Sequence, residues 1–181
     1  MTTTQTFSME IQEWPSREDI TDLLKGHQSK EAVRDFIARE FDTIIHFKIG
    51  DFDLLAGYPE AFFLPLHAFL QSLSSGLKSL SGTPSVNLPI YLQQYEVDEG
   101  DPAHTLVLSW SDGALQVKLQ WGGPNEAPEV IANHPPLLVD FQQFHGTVVQ
   151  RMKEYYQQIA LLVGSLSGWE SADVAALFAE F

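Results

Sequence analysis

The stretch "HTLVLSWSDGALQVKLQW", residues 104–121, constrains the chain more tightly than any other. Apolar and polar residues alternate on both sides of Asp112-Gly113. A two-residue Asp-Gly connection between such runs is a strong hairpin signal, because both central positions need a positive φ. A loop of that length also sets the register. It predicts Ser111 opposite Ala114, Trp110 opposite Leu115, Leu108 opposite Val117 and Leu106 opposite Leu119, with the large apolar residues on one side. Val107, Ser109, Gln116, Lys118 and Gln120 then share the other face. Upstream, "VNLPIYLQQYEV" extends the hairpin to a three-strand meander over about 88–121, its first strand at 90–97. Leu88, Ile90 and Leu92 should turn to the core and Tyr91, Gln93 and Tyr95 outward. Pro89 has no N–H to give, which puts the start of this strand at an edge.

A second alternating region, "IIHFKIGDFDLLAG" at 44–57, changes phase halfway. Ile45, Phe47 and Ile49 alternate in one frame and Phe52 and Leu54 in another. Gly50-Asp51 must therefore form either a glycine bulge or a tight turn. Both options leave His46, Lys48 and Asp53 on the polar side with Asp51 at the kink. Near the N-terminus, Phe7, Met9 and Ile11 alternate as a strand closed by Trp14-Pro15.

Helical spacing accounts for the remaining apolar residues. Ser16 and Asp19 form a capping-box-like start to a helix reaching Gly26, and Ser29 opens another with Val33, Phe36, Ile37 and Phe41 on its apolar side. Leu66, Phe69, Leu70, Leu73, Leu77 and Leu80 define a core helix over 65–81, entered at Pro65 and ended near Gly82. A long helix is expected from about Leu137 to Val163, with Leu138, Phe141, His145, Val148, Met152, Tyr155, Ile159 and Leu162 as its stripe. Ser171 caps a last helix that buries Val174, Leu177 and Phe178. Residues 122–136, rich in proline and glycine, have no period. The sum is an α+β fold: an antiparallel sheet whose apolar face packs on helices, the long C-terminal one among them.

The length of 181 residues and the 44% hydrophobic content suit one domain over residues 1–181. Without cysteine, disulfides, thiolate metal sites and cysteine nucleophiles are excluded. The opening "MTTTQTFSMEIQEW" has no basic flank or long apolar run, and no later segment reaches membrane-spanning length, so a soluble cytoplasmic protein without membrane contact is expected. Charge is the most informative bulk property. Twenty-four acids stand against ten bases, and residues 79–150 hold eight acids and a single base, Lys118. Such a surface repels phosphate backbones and attracts basic proteins, which argues against nucleic acid as a partner.

Motifs for chemistry are few. His46, Asp51 and Asp53, with His67 from the next helix, are residue types that bind metals, yet a D-x-D on a strand arises from alternation alone, and the reading adopted is a strand with a wet side. The loop "EVDEGDPAH" carries Glu96, Asp98, Glu99 and Asp101 around a glycine but lacks EF-hand spacing, so its acids are assigned to solvation of a hairpin tip and no metal is expected. Glu96 could pair with His104 at the base of that hairpin and raise the imidazole pKa. "GSLSG" at 164–168 has leucine where a nucleophile elbow requires serine, and no phosphate-binding glycine loop is present. His134 and His145 read as ordinary loop and core histidines.

What remains is the outer face of the meander. Tyr91, Gln93, Tyr95, Ser109, Gln116 and Gln120 are polar, aromatic and nearly uncharged, a composition suited to adaptable protein contact. Together with Glu96, Asp98, Glu99 and Asp101 they form the expected partner-binding set. The expectation is a non-enzymatic domain that binds another protein, a basic one, as an immunity-type neutraliser or a chaperone does, with no cofactor. The alternative is a small-molecule pocket between the sheet and the long helix, lined by Trp110, Trp121, Phe141 and Tyr155. A metal-dependent hydrolase built on His46, Asp51 and Asp53 is a third reading.

Overall fold

The computed structural model describes residues 3–19, 21, 29–55, 63–90, 104–122, 134–135, 137–166 and 168–179. Strand β1 (Phe7–Ile11) is followed by a reciprocal cap, in which Ser16 N–H donates to Asp19 Oδ2 at 2.7 Å and Asp19 N–H to Ser16 Oγ at 3.2 Å. Residues 17–19 are helical behind it. Helix α1 (Lys30–Asp35) starts on the Ser29 hydroxyl, which accepts from Ala32 N–H, and widens into a π-helical turn over Phe36–Glu40. The sequence pattern predicts an uninterrupted α-helix here. Val33 and Ile37 lie in the core at 0% and 1% exposure.

Strand β2 (Asp42–Ile49) is the centre of the first antiparallel sheet. Its second half pairs with β1, Phe7 facing Ile49 and Ile11 facing Ile45, and its first half with β4 (Phe63–Pro65). Gly50-Asp51 is a tight turn into β3 (Phe52–Asp53), where Ile49 faces Phe52. Gly50 takes φ +59° there and donates its N–H to Thr6 O at 2.8 Å. Of the two options left open by the phase change, the hairpin holds.

Helix α2 (Leu66–Ser79) buries Leu66, Phe69, Leu70, Leu73 and Leu77. It approaches the second sheet closely at Gly76, where a Cβ would lie 2.8 Å from Leu88 Cδ2. That sheet runs β5 (Ser85–Ile90), β6 (His104–Ser111), β7 (Ala114–Gln120), β8 (Leu137–Val139), all antiparallel. The four residue pairs expected from Asp112-Gly113 occur in register, and Asp112 and Gly113 have φ of 47° and 82°. The described part of the meander's first strand, expected at 90–97, is Ser85–Ile90, so it starts earlier than expected, with Leu88 and Ile90 buried as expected. Residues 91–97, including Leu92, lie outside the described residues. Among the described residues β5 is an edge strand, consistent with Pro89.

Two corrections concern the long helix. Leu137–Val139 is a strand: Leu137 faces Val117 and Val139 faces Leu115, both buried on the core side of β7. Helix α3 (Phe141–Gly164) begins only after Asp140, whose carboxylate accepts from Gln143 N–H at 2.9 Å. Its buried residues are Phe144, Val148, Tyr155, Ile159 and Val163, while His145 is exposed and Phe141 and Met152 are half-buried. The expected stripe was phased on Leu138, Phe141 and His145. Counting a strand residue as helical shifted the first turns by one position, about 100° around the axis.

Helix α4 (Ser171–Leu177) starts one residue earlier than expected, on a reciprocal cap between Glu170 and Asp173, and buries Val174. The two sheets meet where Gln5 N–H donates to Leu138 O at 2.7 Å and Gln5 forms a parallel bridge with Val139. Side chains of α3 occupy backbone groups of β1: Gln143 Oε1 accepts from Phe7 N–H at 3.3 Å and Arg151 Nε donates to Met9 O at 2.6 Å. A strand edge is thereby covered by a helix. Phe7, Phe47 and Phe144 meet with ring centroids 4.6–5.9 Å apart, which joins sheet and helix in one hydrophobic cluster. No described helix is long and apolar enough to cross a membrane.

Candidate functional site: the outer face of the meander

Alternation in β5, β6 and β7 divides the second sheet into two chemically different faces. The inward face is closed by Leu88, Leu106, Leu108, Leu115, Val117 and Leu119, each at most 6% exposed. The outward face is ordered in rows by the cross-strand pairs. One row runs Ser85, Ser109, Gln116, Leu138, the next Asn87, Val107, Lys118, and a third Pro89, Thr105, Gln120. Ser109 and Gln116 are direct partners, and Gln120 lies two rows along, about 13 Å from Gln116. Exposure grows outward from half-buried Thr105, Val107, Ser109 and Gln116 to exposed Ser85, Asn87, Lys118 and Gln120. Lys118 is the single charge in these rows.

Of the expected set, Ser109, Gln116 and Gln120 thus share one face. Tyr91, Gln93, Tyr95, Glu96, Asp98, Glu99 and Asp101 lie outside the described residues. Ile90 and His104, the described residues on either side of them, face each other across β5 and β6 at the end of the sheet where Gln120 sits. Ser85, Asn87 and Thr105 belong to the same face and were not anticipated. Thr105 could have been found by carrying the alternation of 106–110 back one residue, whereas Ser85 and Asn87 required the earlier start of β5.

His104 sits at that end of the sheet. It is 6% exposed, its Nδ1 accepts from Gly122 N–H at 2.9 Å, and its ring lies on Trp121 with centroids 4.1 Å apart. Burial holds its pKa below the ordinary histidine value, the opposite of the rise expected from a pairing with Glu96. Glu96 itself is outside the described residues.

The polar side of β2 is a wet face tied together through His46 and Asp53. His46 Nδ1 lies 2.7 Å from Asp53 Oδ2, and Asp53 Oδ1 accepts from Phe47 N–H at 3.1 Å and Leu55 N–H at 3.3 Å. Asp53 thus secures the Gly50-Asp51 hairpin, while Asp51 is exposed at its tip. His67 is elsewhere: it is buried on α2 with Nδ1 3.1 Å from the Tyr155 hydroxyl. Among the described residues no group of three or more histidines and carboxylates could hold a metal ion. His134 stacks on Phe52 at 3.9 Å between centroids, and exposed His145 lies 5.8 Å from the Phe141 ring.

Of the four aromatic residues of the expected pocket, two meet and the other two pack elsewhere. Trp110 packs on Phe141 at 5.0 Å, Trp121 on His104, and Tyr155 on Phe178 at 5.7 Å. Tyr155 is fully buried, and burial raises its pKa, so the hydroxyl stays protonated. No protein-family model, curated protein or solved structure matches the chain.

Proposed function

We propose that the protein is a cytoplasmic, non-enzymatic binding domain for a basic protein, acting as a neutraliser of the immunity type or as a chaperone. The observation that carries this reading is the outward face of the meander: three rows that hold six neutral polar side chains, the apolar Leu138, Val107 and Pro89, and one cation, in a chain of net charge −14. A polar, sparsely charged sheet face offers contact area at low desolvation cost, and the surrounding acidity steers a basic partner towards it. Ser109, Gln116 and Gln120 form the described part of the surface. Tyr91, Gln93, Tyr95, Glu96, Asp98, Glu99 and Asp101 are assigned to the same partner-binding set from the sequence alone.

The test is affinity capture from native lysate at low salt, run in parallel with a Ser109→Arg/Gln120→Arg variant of unchanged circular dichroism. The expected result is a basic protein retained by the wild type, released as salt rises and no longer retained by the variant. Equal retention by both proteins, or retention insensitive to salt, would sink the assignment of this face.

A further inference from the structure

Only four arginines occur in this acidic chain, and two of them, Arg34 and Arg39, line one cavity of about 490 Å³ between α1 with its π-helical turn, α2 and α4. We infer that this cavity is a binding site for a small organic monocarboxylate, with the guanidinium groups of Arg34 and Arg39 receiving the carboxylate and an apolar body filling the remainder. The inference is independent of the sheet-face reading.

Three observations support it. The first is electrostatic. A net charge of −14 repels anions from the surface at large, so two arginines converging on one concavity create a local reversal of sign. Arg34 Nε is shielded from solvent and has no hydrogen-bond partner, and neither arginine enters a salt bridge, among the described residues. A solvent-shielded guanidinium N–H without an acceptor is costly, and a carboxylate matches the fork geometry of the group. Asp35 lines the same cavity and Asp173, paired with Lys30, lies within electrostatic reach of Arg34, so the three cations and two carboxylates leave one net positive charge, which suits a single negative charge better than a phosphate dianion.

The second observation is backbone geometry. Positions five apart in an α-helix diverge by about 140°. Between Arg34 and Arg39 the backbone widens, with Phe41 N–H donating to Phe36 O at 3.0 Å, and both side chains reach the cavity. Such π-helical turns are costly relative to regular helix and recur at functional sites.

The third is the wall. Ala38, Ala68 and Ala176 come from three different elements, and their small side chains leave the volume open, with Leu177 adding apolar surface. His67 and Gln71 add polar groups, and His67 lies against the Tyr155 hydroxyl. An apolar concavity of this size with a few convergent polar groups is the usual form of a small-molecule site.

The experiment is a titration of the isotope-labelled full chain with hexanoate, benzoate and, separately, inorganic phosphate, followed by amide chemical shifts. Hexanoate or benzoate should give saturable shifts centred on Arg34, Arg39 and Gln71. Affinity should fall about tenfold or more in Arg39→Gln, whose exposed position spares the fold. Ala176→Leu, which fills the cavity from an exposed helix position, should weaken binding while leaving the spectrum otherwise folded. No saturable shift up to about 10 mM of either carboxylate, or equal affinity in wild type and Arg39→Gln, would overturn the site. Saturation by phosphate without saturation by either carboxylate would overturn the assignment of ligand class.

Discussion

His104 carries the clearest residue-level consequence. Its burial lowers the folded-state pKa, so the unfolded chain binds the proton more readily than the native protein does. The contribution of His104 to stability is therefore fully present above the unfolded value near 6.5 and is lost as pH falls below it towards the folded pKa. Urea unfolding at pH 7.5 and pH 5.5 should show wild-type stability declining towards acid. The decline should be smaller in His104→Gln, which cannot titrate, and an equal decline in both proteins would rule His104 out as its source. Asp53 illustrates a different residue-scale lesson. From the sequence it is one member of a D-x-D on a polar face. In the fold its carboxylate binds His46 and two backbone N–H groups, which makes it a turn staple where a metal ligand was conceivable.

At the scale of elements, the most informative boundary is the one between β8 and α3. Residues 137–141, "LLVDF", fit a helical stripe, and three residues of strand are too few to display their own period. Asp140 decides the matter: it caps the helix through Gln143 N–H and releases Leu137 and Val139 to alternate into the sheet. Asp140→Ala should lower stability by about 1 kcal/mol in denaturant titrations, while Asp140→Ser or Asp140→Asn, which can still accept the bond, should recover most of the loss. A null effect of the alanine variant would place the helix start elsewhere. Gly76 likewise has a purpose that its own helix cannot reveal, since what requires its missing side chain is Leu88 on β5.

For the molecule as a whole, net charge is the dominant global property. With −14 distributed over 181 residues, self-repulsion opposes compaction and is relieved by counter-ions. The melting temperature at pH 7.5 is therefore expected to rise by a few degrees, of the order produced by about 1 kcal/mol, when salt is raised from about 10 mM to 300 mM. A flat or falling profile would show that attractive pairs such as Lys30 with Asp173, 2.7 Å apart, outweigh the general repulsion. The same acidity underlies both proposals. It steers a basic protein to the sheet, and it makes the Arg34 and Arg39 cavity the exception that calls for an anion.

The sequence by itself determined whatever depends on a local period or a turn. Asp112-Gly113 dictated a hairpin and its register, the spacing from Leu66 to Leu80 dictated a core helix, and the alternation around Ile45 and Phe47 separated a buried face from a wet one. Within the expected surface it also placed Ser109, Gln116 and Gln120 on one side of one sheet. Tertiary structure decided what depends on residues far apart in the chain. It joined the two sheets at Gln5 and Val139, covered β1 with Gln143 and Arg151, and gathered Arg34, His67 and Ala176 around a cavity. The physical reason is that periodicity records which side of an element is buried but holds no information on which other element buries it. A cavity belongs to none of its walls alone.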